Sequence, residues 1–147
     1  MIKGLCLVLV AGLLLSACGS ETEAKAMTTW VTQSDFHENN STVISDVRHS
    51  ANALEEPTSA VKLLHSVCDV LDMDVSAANA ALPTPDDQST QLLSKAYTNI
   101  DDGAKLCFDA GTSEAKRQSA LRDLSNGLAL LSEGSQRVDV AAGSSSN

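Results

Sequence analysis

Apolar residues recur along this chain at intervals of three and four, and no stretch alternates with the period of two that marks a strand. The spacing predicts a first helix over residues 34–54, where Phe36, Asn40, Val43, Val47, Ala51 and Leu54 fall on one side. Asn39-Asn40-Ser41-Thr42 is poor helix material and sets a polar Asn40 on the inner seam. Pro57 ends this segment, and Pro57-Thr58-Ser59 is a fair start for the next. The second helix is predicted over 58–81, with Leu64, Cys68, Leu71, Val75, Ala78 and Leu82 as its inner stripe. Leu82-Pro83-Thr84-Pro85-Asp86 then breaks the chain. Thr84, Pro85 and Asp87 look like a cap, a proline at the first helical position and an acid near the positive helix end; Ser89 is a later cap. The third helix starts at Pro85 or Ser89 and runs to Ala110, lined by Leu93, Ala96, Ile100, Gly103, Ala104 and Cys107. Gly111 is well placed just beyond its end. A fourth helix, capped by Thr112 or Ser113, turns Leu121, Leu124, Leu128 and Leu131 inward, and Gly127 and Gly134 interrupt it. Residues 138–147, ending Gly-Ser-Ser-Ser-Asn, read as a disordered tail. Four helices of about 20 residues with short connections make an all-α, up-down four-helix bundle over residues 34–137.

The N-terminus follows another pattern. Lys3 precedes a fourteen-residue apolar run, Gly4 to Ala17, which is too short for a permanent membrane span of about 18 or more residues. A positive start, an apolar run and small residues at its end are the parts of a secretory signal. Leu15-Ser16-Ala17-Cys18-Gly19 matches the lipidation box of a bacterial lipoprotein position by position, so the first twenty or so residues resemble a lipoprotein signal. The resemblance implies that residues 1–17 are removed and that Cys18 becomes the first residue, carrying acyl chains such as palmitate. More than one chain gives stable anchoring, at about 0.8 kcal/mol per buried methylene. Residues 18–33 then hold the lipidated cysteine and a polar tether. The implied location is the extracytoplasmic face of the cell membrane, or the outer membrane if the source has one. The competing reading is an ordinary cleaved leader with a chance cysteine.

Charge narrows the partners. Without Lys3 the remaining 130 residues carry 9 basic and 19 acidic side chains, a net charge of −10. Nucleic acid demands clustered Lys and Arg, so it is excluded as a partner. Docking on anionic lipid is disfavoured for the same reason, which leaves acylated Cys18 as the membrane attachment. Aromatic residues are few, namely Trp30, Phe36, Tyr97 and Phe108, so a stacking platform for sugars or bases is not expected.

Of four cysteines, Cys6 leaves with the signal and Cys18 is acylated. Cys68 and Cys107 remain, in a compartment that permits disulfides, and one intramolecular connectivity joins them. Closing a loop of about 40 residues contributes roughly 4 kcal/mol in the chain-entropy model. The alternatives are two free thiols or an intermolecular bridge. The bridge strains the predicted register. Cys68 lies about 20 Å before the end of the second helix, and Cys107 about 27–33 Å after the start of the third. Bridged cysteines need Cα atoms within about 7 Å. The disulfide therefore predicts a long connection over 82–88, a late third helix or an angled crossing.

A mid-helix cysteine, then Leu82-Pro83-Thr84-Pro85-Asp86-Asp87, then an Ala96-Tyr97 helix ending in Cys107 resembles small secreted actinobacterial proteins. Many of these are lipoproteins of unknown function. The resemblance spans Cys68 to Cys107 and implies no activity.

Chemistry-bearing clusters are weak. His65, Cys68 and Asp69 share a helical face, as a Cys/His nucleophile pair would. The disulfide claims Cys68, and no oxyanion-forming glycine loop is nearby, so His65 reads as a flank residue. Asp69, Asp72 and Asp74, or Asp86 with Asp87, lack the central glycine and terminal glutamate of a calcium loop. They read as a solvated face or a cap, and Asp101-Asp102 reads as an outer face. His37, His49 and His65 have no metal-ligand spacing. Gly103 and Ala104 opposite Gly127 make a close helix contact or floor a small pocket, the contact being favoured. Trp30 caps the open end of the bundle or sits at the membrane interface, and packing is again favoured. No catalytic, cofactor-binding or metal residues are assigned. The expected function is a non-enzymatic helical interaction module, lipid-anchored and facing an envelope protein partner. The alternatives are a small-ligand or lipid-binding bundle with a cavity near Gly103 and Gly127, or a phage-type surface-exclusion lipoprotein.

Overall fold

The computed structural model describes residues 17–144, with side chains from residue 21 onward. Leu15, Ser16 and the side chain of Cys18 lie outside the described residues, as does the end of the chain at 145–147. Among the described residues there are five helices: α1 (Ala17–Gln33), α2 (Phe36–Glu55), α3 (Val61–Asn79), α4 (Asp87–Phe108) and α5 (Glu114–Ala141). The four predicted helices are α2 to α5. They pack in the ring α2–α3–α4–α5, each beside the next, as an up-down bundle.

Two boundaries differ from the sequence reading. Residues 18–33, read as a polar tether, are helical, because α1 has its own apolar side. Met27 is buried in the core. The Trp30 ring sits 5.1 Å from Phe36, and its indole N–H donates to the Ala81 carbonyl at 3.0 Å. Asp35, in the left-handed region at φ 47°, turns the chain from α1 into α2. At the other end α5 continues past Val138 to Ala141, where a disordered tail was expected. Val138 is fully buried, so burial of an apolar side chain carries the helix on.

The glycines of α5 do not interrupt it either. They lie on its inner stripe, which runs Arg117, Ala120, Leu124, Gly127, Leu131, Gly134, Val138. Leu121 and Leu128, expected inside, are half-buried. A Cβ on Gly127 would stand 2.5 Å from Ile100 Cγ1 and 3.1 Å from the Ala96 carbonyl oxygen. One on Gly134 would meet Leu93 at 2.8 Å, and one on Gly103 would meet Leu124 at 2.8 Å. The missing side chains let α4 and α5 close on each other, and that packing outweighs a propensity cost of about 1 kcal/mol per glycine.

Cys68 and Cys107 are joined, with Cα atoms 5.9 Å apart. The bridge sits 11 residues before the end of α3 and 20 residues into α4. The start of α4 therefore overshoots the end of α3 by about 13 Å at 1.5 Å per residue. The seven-residue connection over 80–86 covers this distance easily at about 3.3 Å per residue. A long connection is thus how the register tension resolves. Asp86, not Thr84 or Ser89, caps α4: its carboxylate accepts from the Ser89 backbone N–H and hydroxyl, both at 2.7 Å. Thr84 is buried and bonds Thr90 and the Asp86 backbone, which shapes the loop.

Polar groups fasten the interior. Asn40 is buried, as its seam position demanded. It accepts from the Tyr97 hydroxyl at 2.7 Å and donates to the Ser135 hydroxyl at 3.3 Å, linking α2, α4 and α5. Burial pushes the Tyr97 hydroxyl up, so it stays the donor. At the far end Arg117 is 3% exposed and donates to the carbonyls of Leu54, Glu56 and Gly111 at 2.8–3.1 Å. These are carbonyls that the end of α2 and the α4–α5 turn leave open, and a cation suits a helix C-terminus.

Gly127→Ala tests the close contact. An exposed helical Gly→Ala change gains about 1 kcal/mol in propensity. Here the added methyl meets backbone, so overpacking of about 1–3 kcal/mol wins and the variant should unfold at lower urea concentration.

Candidate functional site

The side chains singled out by sequence are dispersed. Cys68 is locked in the disulfide, and the His65 ring stacks on Phe108 with centroids 4.1 Å apart and planes 10° from parallel. His37 stands 3.8 Å from Asp139 of α5, and His49 stands 3.9 Å from Asp46 on its own helix. Among the described residues no three metal-ligating side chains come together. Gly103 and Gly127 do not floor a pocket, since the α4–α5 contact there leaves no room for a methyl group. An open surface hollow of about 680 Å³ lies where α1, the start of α4 and the end of α5 meet. Its only arginine, Arg137, is already held by Asp86 through two hydrogen bonds at 2.7 and 3.0 Å.

The distinctive surface is on α3. Its inner stripe is as expected, with Leu64, Cys68, Leu71, Val75 and Ala78 buried. The same helix carries a second apolar set that faces out. Val61, Leu63, Val70 and Met73 are 43%, 48%, 46% and 65% exposed. Only two other large apolar side chains are comparably exposed among the described residues. One of them, Phe108, lines the neighbouring α3–α4 groove. Leu63 and Val70 are seven residues apart, with Met73 three further on, so they lie along one side. α3 thus carries large apolar side chains on its outer side as well as on its inner one. Sequence reasoning took only the inner stripe, although the Leu63-Val70 interval was a readable signal.

Shallow grooves flank this ridge. The α2–α3 groove, about 200 Å³, is lined by Asp46, His49, Ser66, Val67 and Val70. The α3–α4 groove, about 230 Å³, is lined by Asp69, Asp72, Lys105 and Phe108 among others. Each flank brings two acids together across helices, Asp46 with Asp74 and Asp72 with Asp101. Partial burial, and then the facing acid, hold Asp46 and Asp72 above the ordinary carboxylate value. One oxygen of each, Oδ2 of Asp46 and Oδ1 of Asp72, is buried without a hydrogen-bond partner. Lys105 pairs with Asp101 on one flank, and His49 stands beside Asp46 on the other, and each offsets part of the repulsion.

No protein-family model, curated protein or solved structure matches the chain.

The two kinds of acid should respond to pH in opposite directions. Asp86 is held well below its ordinary 3.8 by Arg137 and then by Ser89. Its contribution is present above that value and lost as pH falls below it. Asp86→Asn keeps a side-chain acceptor for the cap and loses the Arg137 ion pair, so it should cost about 0.5–1 kcal/mol at neutral pH and progressively less in acid. Asp46 is raised, so its ionisation costs stability as pH rises through the folded value. Asp46→Asn supplies a donor toward Asp74 and should stabilise by about 1 kcal/mol at neutral pH, a gain that vanishes below the ordinary carboxylate value. Thermal melts across pH 2–7 check both signs.

Proposed function

We propose that this chain is a lipid-anchored lipoprotein of the cell envelope, held by acylated Cys18, that works as a non-enzymatic interaction module. The observation that carries the reading is the outward apolar face of α3, which sets Leu63, Val70 and Met73 along one side of one helix of a highly acidic protein. Clustered exposed apolar side chains with a polar rim mark interaction sites. The fold supports a binding role over catalysis. Its cysteines serve the staple, His65 is stacked on Phe108, and Asp86 and Arg137 satisfy each other.

Anchoring sets the orientation. A lipid on Cys18 sits at the start of α1, and α1 covers the end of the bundle formed by the close of α3, the start of α4 and the close of α5. The membrane-facing end is then the Trp30 end, and the outer face of α3 looks sideways, along the membrane, towards neighbouring envelope proteins.

Two experiments test this. Cys18→Ser should move the protein from the membrane fraction to the soluble fraction; retention in the membrane would refute the anchor. Val70→Glu with Met73→Glu should leave helicity unchanged and remove the crosslinked products that the native protein forms in intact cells. Unchanged crosslinks would refute the α3 face as the contact surface.

A further inference from the structure

Resting on the reading of α3 as a contact surface, we infer that the partner is a basic amphipathic helix that lies along the outer face of α3. Its apolar side would rest on Leu63, Val70 and Met73, and its Lys and Arg flanks would reach the acid pairs in the two grooves.

Charge complementarity selects this occupant. The apolar ridge is bordered by five carboxylates, Asp46, Asp69, Asp72, Asp74 and Asp101. Two lysines oppose them, Lys62 and Lys105, and Lys105 is already paired with Asp101. The acids stand on both sides of the ridge, which matches a helix with an apolar stripe and cationic residues on either flank. Asp46 and Asp72 each keep one oxygen buried near a facing acid, so a guanidinium or ammonium lying in the groove would be held by the outer oxygens of these acid pairs. The raised carboxyls on each flank are consistent with this, since a cation would relieve the repulsion between facing acids.

A second copy of this chain fits the face less well. It would set the same acidic borders against each other, in a protein with a net charge of −9 as translated. An anionic bilayer is repelled for the same reason.

The test uses the full chain from Cys18 onward, with Cys18→Ser for solubility, and three synthetic helical peptides of about 18 residues, long enough to form a helix. One is a Leu/Lys amphipathic peptide, one a Leu/Glu peptide of the same pattern, and one a Lys/Ser peptide of equal positive charge. Calorimetric titration should give measurable binding for Leu/Lys and at least about tenfold weaker binding for the other two, roughly 1.4 kcal/mol. Met73→Glu and the pair Asp46→Asn with Asp72→Asn should each weaken Leu/Lys binding severalfold or more. Val140→Glu, an exposed apolar position on α5, should leave it unchanged. Amide shifts should map to α3. Equal binding of Leu/Glu or Lys/Ser, equal damage from Val140→Glu, or shifts centred elsewhere would overturn the inference. A dimer in sedimentation that Met73→Glu dissolves would also overturn it, by assigning the face to a second copy. If the α3 variants abolish envelope crosslinks while the peptides show no preference, the contact surface stands and the basic helix falls.

Discussion

The register set by the Cys68–Cys107 bridge governs the shape of this bundle. It places a residue near the middle of α3 level with one near the end of α4. That forces α4 to begin about 13 Å beyond the end of α3. The chain spans this step through Thr84 and Asp86, which hold the loop and cap the next helix. Because α5 packs along α4, it overshoots too, and its last turns carry Val138 in the core. The stagger leaves one end of the bundle short of a wall. Met27 and Trp30 of α1 close it, and the Trp30 indole ties α1 to Ala81 at the foot of the same loop.

The two ends are sealed by different chemistry. Near α1, Arg137 forks onto Asp86, a partly exposed pair that also completes the α4 cap. At the far end Arg117 is buried and meets carbonyl oxygens only. A buried cation is costly unless its donors are used, and here the open carbonyls of α2 and the α4–α5 turn accept four hydrogen bonds, with Glu56 close enough to feel its charge. Between the ends, Asn40, Tyr97 and Ser135 form a polar bridge in an otherwise apolar core. Such a bridge fixes the mutual rotation of three helices, which leucine packing alone leaves loose.

Seen against these satisfied groups, α3 stands out. The space at Gly103, Gly127 and Gly134 is filled by neighbouring side chains, and Arg117 and Arg137 are already bonded. On α3 the pattern reverses, with apolar side chains in water and acids facing acids across both grooves. Groups that cost the isolated protein stability are expected where a partner completes them.

The sequence alone was enough for the four bundle helices, their inner stripes on α3 and α4, the left-handed Gly111 and the pairing of the two cysteines. Those features are local or arithmetical: helical period, a glycine after a helix, and two thiols left over. It also contained the second stripe on α3, though a periodic pattern does not say which of two apolar sides meets the core. Tertiary structure decided the rest. Arg117 sits at an ordinary inward position of α5, and only the approach of the α2 carbonyls makes its burial tolerable. Gly127 and Gly134 look like helix breakers until α4 closes on them, when the space they leave becomes the contact. Met27 and Val138 lie in segments too polar to predict as core, and they are buried because a stagger far along the chain left an end to cover. Local pattern sets which residues form helices, and long-range register sets which of them have anything to pack against.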